Sequence, residues 1–158
     1  MARNLAKVLF TLICSSAQCS ALTGKDNGFG KDYVWAGSLD SGIKIASHHK
    51  KPVMLIIHKS WCSACKGLKP KFAASTELQV LSKHFVMVNL IDDEEPKDTS
   101  FAPDGTYIPR ILFLSPAGSV DKEIYNEDGS RQHKYFYSRP EHIAKSMKKV
   151  LQKYTKET

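Results

Sequence analysis

Three short, nearly continuous hydrophobic runs stand in the middle of this chain. They are VMLIIH at residues 53–58, FVMVNL at residues 85–90 and RILFL at residues 110–114. Runs of this length without polar alternation are typical of strands that are buried on both faces. The turn sequence SPAGS follows the third run and predicts a fourth strand near residues 120–125. The pattern therefore predicts a sheet of four to five strands.

Hydrophobic residues recur at helical spacing before the first run and again near the end of the chain. The later set follows Ser138, which forms a possible capping box with Glu141. Each set predicts an amphipathic helix with one buried face. The first set is Trp35, Leu39, Ile43 and Ala46, and the second is Ile143, Met147, Val150, Leu151 and Tyr154.

A third helix is predicted to begin at Cys62, directly after the first strand. Its residues Leu68 and Phe72 should face the core. Pro70 should kink this helix rather than end it, because a proline inside a helix removes one backbone hydrogen bond.

A further short helix is predicted where Thr76 and Gln79 have the spacing of a capping box. The predicted order is then helix, strand, helix, strand, followed by strand, strand and helix. Parallel pairing first and a hairpin later predict an α/β fold, with a mixed sheet flanked by helices on both sides.

The first 21 residues have the pattern of a secretory signal peptide. A short basic region with Arg3 and Lys7 precedes the apolar run VLFTLICSSA, and small residues follow. The run is shorter than the roughly 20 apolar residues that span a bilayer, and a membrane anchor or buried helix is the alternative. We expect cleavage within residues 17–21, a flexible glycine-rich arm over residues 22–31 and a folded domain over residues 32–158.

Charge and cysteine content narrow the functional and structural classes to which this protein can belong. The formal net charge is +7, but the positive residues are scattered, without an arginine run or interleaved aromatic residues. This distribution argues against a nucleic-acid face, and we expect no membrane association once the signal is removed. Of the four cysteines, only Cys62 and Cys65 are certain to remain after cleavage. The core must therefore hold without a disulfide framework.

Cys62 and Cys65 stand in the sequence HKSWCSACKGLKP. Their spacing at the start of a helix places them on one face, within reach of a disulfide. The helix dipole would stabilise a Cys62 thiolate, which is the attacking species in disulfide exchange. The same spacing fits a structural disulfide or half of a zinc site. However, so small a loop adds little stability, and no second ligand pair completes a zinc cage. We expect a redox pair and no bound metal.

The neighbours of the pair sharpen this prediction. Trp61 precedes the first cysteine, and Pro70 lies in the same helix. The sequence YIPRILFL places Ile108–Pro109 just before a strand, where a cis proline would make a tight turn. Together, WCSACK, Pro70 and YIPRILFL resemble the thioredoxin fold.

Longer stretches resemble a narrower family. KPKFAASTELQVLSKHFVMVNLIDDEEPKD and FAPDGTYIPRILFLSPAG are similar to the small thioredoxin-fold family of the endoplasmic reticulum that comprises thioredoxin domain-containing protein 12 and the anterior gradient proteins. The resemblance covers residues 29–147, which is nearly the whole chain after the predicted signal peptide.

This resemblance implies a protein thiol–disulfide oxidoreductase of the secretory pathway, a protein-disulfide reductase without a cofactor that uses glutathione as small-thiol co-substrate. Cys62 matches the nucleophile of the family and Cys65 its resolving cysteine. Pro109 matches the cis proline opposite the pair, where the backbone of Ile108 would hold a peptide as a short extra strand. Trp61 would shield the disulfide and contact the substrate. The partners would be cysteine-containing secretory client proteins, and we expect a monomer.

Two residues depart from the usual pattern near the pair. Ser63 stands where the family usually has glycine, and its hydroxyl would donate to the thiolate of the first cysteine. Many thioredoxin-fold enzymes carry a buried acidic residue six positions before that cysteine, where this chain has Ile56. Proton transfer would then rely on water or on His58 and Lys59, which with Ser63 are the candidates for tuning the acidity of the pair.

The chain ends YTKET, without a retrieval tetrapeptide, so both the lumen of the endoplasmic reticulum and secretion stay open as destinations. A second function class also stays open: a secreted or luminal, chaperone-like binding protein of anterior gradient type without essential redox turnover. Those relatives have one cysteine in the motif, whereas this chain has both, which favours the enzyme. A weaker alternative is a metal bound by the pair across a dimer.

Overall fold

The computed structural model describes residues 21–155, in which three strands form one sheet. They are β1 (Val53–His58), β2 (Val86–Ile91) and β3 (Arg110–Leu114), in the spatial order β2-β1-β3. β1 runs parallel to β2 and antiparallel to β3. The three hydrophobic runs therefore form the predicted strands, with β2 displaced by one residue. The predicted signal peptide lies outside the described residues, except for its last position.

Four helices accompany the sheet in the described part of the chain. They are α1 (Leu39–His49), α2 (Ser63–Ala74), α3 (Thr76–Ser82) and α4 (Pro140–Tyr154). α2 continues through Pro70, as predicted. Two short 3₁₀ turns, Asp92–Glu94 and Thr99–Phe101, lie between β2 and β3. Within residues 21–155, no helix is both long and apolar enough to cross a membrane.

The alternating side chains of β1 divide the core into two layers. Met54 and Ile56 face a cluster with Leu68 and Phe72 of α2, to which α3 and α4 also contribute. Leu55, with its neighbours of the same parity, faces the opposite cluster, which includes residues of α1. Because all six residues of β1 are buried, both faces of this strand are covered, as the unbroken apolar run predicts.

The sheet has fewer strands than the four to five predicted. The segment near residues 120–125 contributes only an isolated bridge between Leu114 and Val120 within the described part of the chain. Another isolated bridge joins Trp35 to Met87. The bridge at Val120 does not extend into a ladder, because the chain turns directly after it. In that turn the N–H of Ile124 donates to the carbonyl of Asp121 over 3.3 Å.

Helix starts differ from the predicted capping boxes. The N-cap of α3 is Ser75, whose side chain accepts a hydrogen bond from the backbone N–H of Leu78, so the prediction for Thr76 is wrong by one residue. α4 begins at Pro140 without any side-chain cap. Proline fits the first helical position because its missing N–H would have no helical partner there. α1 begins at Leu39, so Trp35 precedes it.

The predicted flexible arm, residues 22–31, packs on the domain. Phe29 is fully buried, and its ring meets those of Trp35 and Phe72 at centroid distances of 6.4 and 5.4 Å. The backbone N–H of Gly24 donates to the carbonyl of Trp35 over 3.0 Å. Packing therefore begins before residue 32, because an aromatic side chain of this segment fills part of the core.

Candidate active site

The cysteine pair lies where β1 leads through a short loop into α2. Cys62 is the N-cap of α2, and its Sγ atom accepts a hydrogen bond from the backbone N–H of Cys65 over 3.1 Å. The carbonyl of Cys62 accepts from the N–H of Lys66 over 3.1 Å. The sulfur thus occupies the position of a capping oxygen, where first-turn N–H groups and the helix dipole favour negative charge.

Cys62 and Cys65 form a disulfide, with their Cα atoms 5.3 Å apart. The two residues differ in access to solvent. Cys62 retains 6% of its surface, whereas Cys65 is fully buried beneath it. Of the two residues, only Cys62 keeps exposed surface, so an incoming thiolate or disulfide reaches Cys62 more readily than Cys65.

The segment before β3 approaches the pair from the other side. The peptide bond between Ile108 and Pro109 is cis, as the sequence predicts. The carbonyl oxygen of Ile108 lies 3.9 Å from Sγ of Cys62. The structure thus brings together the two cysteines with Ile108 and Pro109, two of the three residues predicted to bind substrate. Trp61 adjoins them at the surface with 72% of its area exposed.

Two predicted tuning residues, Ser63 and Lys59, form no hydrogen bond with either sulfur in the part of the chain that the structure describes. Ser63 is an exposed residue of the first turn of α2, and within residues 21–155 no hydrogen bond joins its hydroxyl to Cys62 in this oxidised state. The ammonium group of Lys59 contacts a carboxylate oxygen of Glu95 at 2.7 Å and the carbonyl of Asp92 at 2.6 Å. Because this ammonium is paired, its field at Cys62 is reduced.

His58, the third tuning candidate, is fully buried at the end of β1. Its Nε2 atom lies 3.1 Å from Oδ1 of Asn89. The same Oδ1 accepts from the side-chain amide of Asn27 over 2.7 Å, and Nδ2 of Asn89 donates to the carbonyl of Lys25 over 2.9 Å. The carbonyl of Lys25 can only accept a hydrogen bond, so it is the amide nitrogen of Asn89 that faces Lys25. The amide oxygen of Asn89 therefore faces His58. The hydrogen of the imidazole therefore sits on Nε2.

That tautomer leaves Nδ1 of His58 as a bare acceptor. Among the described residues, it is the one buried side-chain nitrogen or oxygen without a hydrogen-bond partner. Burial lowers the pKa of His58, and the hydrogen bond with Asn89 offsets only part of that effect. The imidazole is neutral at pH 7 and carries an unused lone pair in the strand that leads into the cysteine motif. Ile56, which stands where many thioredoxin-fold enzymes carry a buried acidic residue, is buried and apolar.

Four polar residues of this region were not among the predicted site residues: Asn27, Asn89, Glu95 and Arg110. Asn89 and Arg110 did leave a signal, because each is a polar residue inside a predicted buried strand. Buried polar groups require partners, so each implies a nearby polar group. Asn27 and Glu95 lie in polar segments, where the sequence offers no such signal. Within residues 21–155, no three His, Cys, Asp or Glu side chains are grouped to hold a metal ion.

Comparison with known proteins agrees with this geometry. The profile of the family described as Thioredoxin-like matches residues 34–116. Anterior gradient protein 3 of Homo sapiens is 34% identical over 78% of this chain and 74% of its own length. Anterior gradient protein 2-B of Xenopus laevis is 31% identical over 94% of both chains. This chain belongs to the anterior gradient family. Another member of the family, anterior gradient protein 3 of Xenopus tropicalis, is 37% identical over 68% of this chain and 65% of its own length.

Solved structures show that this anterior gradient family member has the thioredoxin fold. A thioredoxin from Thermus thermophilus superposes with a TM-score of 0.54 at 23% identity, over 73% of this chain and 85% of that one. A DsbH oxidoreductase gives the same TM-score at 17% identity, over 78% and 88% of the two chains. At these identities the similarity establishes the fold alone.

Proposed function

We propose that this protein is a thiol–disulfide oxidoreductase of the secretory pathway that acts on cysteine-containing client proteins. One observation supports this most directly: the sulfur of Cys62, the less buried of the two cysteines, caps a helix and faces the carbonyl that precedes cis Pro109. The helix terminus favours a thiolate at Cys62. The facing backbone offers an extended peptide a place to bind as an added strand. The reactive sulfur is thus adjacent to the backbone at Ile108 and Pro109, which we call the client-binding edge.

The proposed reduction of a client begins with the Cys62 thiolate, which attacks one sulfur of the client disulfide. A bond forms between Cys62 and that sulfur, and the other client sulfur leaves as a thiolate that takes a proton from water. Cys65 then loses its proton and attacks the sulfur of Cys62. This step forms the Cys62–Cys65 disulfide and releases the second client thiolate, so the client gains two electrons and the protein loses them.

Glutathione is the proposed small-thiol partner. One glutathione thiolate attacks the Cys62–Cys65 disulfide and forms a mixed disulfide with Cys62. A second glutathione thiolate attacks that mixed disulfide, releases Cys62 as a thiolate and leaves oxidised glutathione. The reverse sequence makes the protein an oxidant of client thiols. The net direction depends on the reduction potential, since roughly −270 mV marks a thioredoxin-like reductant and about −180 mV an isomerase-like oxidant.

His58 is the proposed proton acceptor for Cys65, through bridging water. Its bare Nδ1 atom is buried, and its Nε2–H is held by Asn89. A neutral imidazole with a free lone pair can take up a proton in a site where Ile56 supplies no carboxylate. Trp61, which is exposed beside Cys62, is proposed to contact the client.

The decisive experiment is equilibration of the mature protein in glutathione buffers of graded potential, with mass spectrometry counting the disulfide. A reversible two-electron transition within the physiological range is expected, and its midpoint distinguishes reductant from oxidant. A pair that stays in one state in every buffer would refute the redox proposal. The protein would then act by binding its partners, as the alternative function predicts. Identifying those partners would show whether it acts in the lumen of the endoplasmic reticulum or outside the cell.

A further inference from the structure

A single carboxylate, that of Glu95, connects two cations that flank the site. One of its oxygens lies 2.7 Å from the ammonium of Lys59, and the other pairs with the guanidinium of Arg110. Lys59 lies in the loop before Cys62, and Arg110 directly follows cis Pro109. Glu95 itself comes from the acidic segment after β2. Three chain segments therefore meet at one side chain.

Arg110 is the better buried of the two cations, with 1% of its side chain exposed. Besides Glu95, its guanidinium donates to the carbonyl of Tyr107 over 2.8 Å and to that of Phe101 over 3.3 Å. A buried guanidinium is very unfavourable without a carboxylate partner. Glu95 thus neutralises the charge of the residue that holds the backbone leading into cis Pro109.

The loop before Cys62 is held by the same acidic segment. Lys59 donates to the carbonyl of Asp92 as well as to Glu95. The carboxylate of Asp92 accepts the backbone N–H of Ser60 over 2.8 Å. These contacts fix the loop from both its backbone and its side chain, so the acidic segment is more than a solvated surface loop.

We propose that Glu95 is a positioning residue, which sets the separation between the Cys62 loop and the cis Pro109 segment and thereby the shape of the client-binding edge. In this proposal Lys59 acts by tying the Cys62 loop to Glu95, and not by electrostatic stabilisation of the Cys62 thiolate. The inference rests on the proposed disulfide exchange for its activity readout, but its structural readout is independent of catalysis. Removing the link leaves both cysteines in place and changes how well an extended peptide fits beside them.

The ionisation of Glu95 supports this arrangement. Burial by itself would raise the pKa of this carboxyl group, but hydrogen bonds from Lys59 and Arg110 outweigh burial and lower the pKa. The group is therefore charged at neutral pH. The exposed fractions of Lys59 and Glu95 side chains, 20% and 22%, also set this cluster apart from surface ion pairs that contribute little.

Glu95→Gln tests the proposal, with Asp93→Asn as the matched control, because Asp93 is an exposed acid of the same segment. We would measure kcat and KM for exchange with a disulfide-bonded peptide, and hydrogen–deuterium exchange over residues 59–62 and 106–110. For Glu95→Gln we expect kcat/KM to fall about tenfold, mainly through KM, within the roughly hundredfold loss that a misplacement of about 1 Å can cause. We also expect faster exchange in both segments, while Asp93→Asn matches the unaltered protein.

Glu95→Gln leaves Arg110 without its carboxylate and can unfold the chain, so Lys59→Met is the second variant. It keeps the Arg110–Glu95 pair and removes the contacts of Lys59 with Glu95 and with the carbonyl of Asp92. We expect the same KM effect and faster exchange over residues 59–62. A folded Lys59→Met protein that equals Asp93→Asn in both readouts would overturn the proposal. If the unaltered protein exchanges no peptide disulfide, the proposed function fails, and the hydrogen-exchange comparison still decides the role of Glu95.

Discussion

The Nε2 atom of His58 lies 3.1 Å from Oδ1 of Asn89, and both side chains are buried. His58 ends β1 and Asn89 lies in the parallel strand β2. Asn89 in turn contacts Asn27 and Lys25. The N-terminal segment thus completes a polar network behind the cysteine motif. That network fixes the tautomer of the imidazole and leaves its Nδ1 atom bare, while burial lowers the pKa and keeps the ring neutral.

The burial of His58 predicts a pH-dependent stability. Burial lowers the pKa of His58; Lys69 also opposes protonation, whereas Asn89, Asp92 and Glu94 favour it. The unfolded chain therefore takes up a proton near pH 6.5 that the folded protein still refuses, and the free energy of unfolding falls as pH drops below about 6.5. We expect this loss in urea titrations between pH 7.5 and 5.

His58→Gln is the matching variant, because it removes the titrating group and keeps a polar side chain. The difference in slope between the two proteins should not exceed about 1.4 kcal/mol per pH unit, the limit for one proton. Identical pH profiles for the two proteins would contradict the lowered pKa of His58.

The unequal burial of the two cysteines predicts which variant traps a client. Cys65→Ser should accumulate a mixed disulfide between Cys62 and a disulfide-bonded peptide, because nothing then resolves it. Cys62→Ser should accumulate none, since Cys65 is fully buried. Mass spectrometry of the quenched mixture measures both. Equal trapping by the two variants would refute the assigned order of attack, and a Cys65→Ser protein with normal turnover would refute the role of Cys65.

The packing of Phe29 predicts that the N-terminal segment contributes to stability. Phe29→Ala should lower the free energy of unfolding by about 3–5 kcal/mol, the usual cost of removing a buried phenylalanine. Val34→Ala is the control, because Val34 is exposed and should change stability by less than about 0.5 kcal/mol. Denaturant unfolding compares the two. A Phe29→Ala protein as stable as the control would mean that this segment is indeed a loose arm.

Two helical glycines should respond to alanine in opposite directions. A Cβ atom on Gly42 would lie 2.6 Å from a methyl carbon of Val88, so Gly42→Ala should destabilise the protein by about 1–3 kcal/mol. A Cβ atom on Gly67 meets nothing within 4 Å. Gly67→Ala should therefore stabilise α2 by about 0.5–1 kcal/mol, because alanine has the better helix propensity. Thermal unfolding of both variants checks this, and a shift of the same sign in both would contradict the packing of α1 on β2.

The sequence by itself determined the three strands, the helix after Cys62 and the placement of Cys62 and Cys65 within reach of a disulfide. These features are local: an unbroken apolar run indicates a strand buried on both faces, and the cysteine spacing places both sulfurs on one turn. The cis bond at Pro109 was also predictable, through the resemblance of YIPRILFL to the thioredoxin fold, which implies a cis proline opposite the cysteine pair. The first residues of α3 and α4, Thr76 and Pro140, were harder to predict, since neighbouring residues offer competing caps.

Only the tertiary structure decided which distant polar residues meet. Residues 120–125 follow a turn sequence that predicts a strand, yet the chain turns there and pairs through a single bridge. The contact of Asn89 with His58 and the links of Glu95 to Lys59 and Arg110 join residues far apart in sequence. Such contacts follow from how the strands pair and how the loops close over them. A hydrophobic pattern shows which positions are buried, but the partner of a buried charge depends on the completed packing.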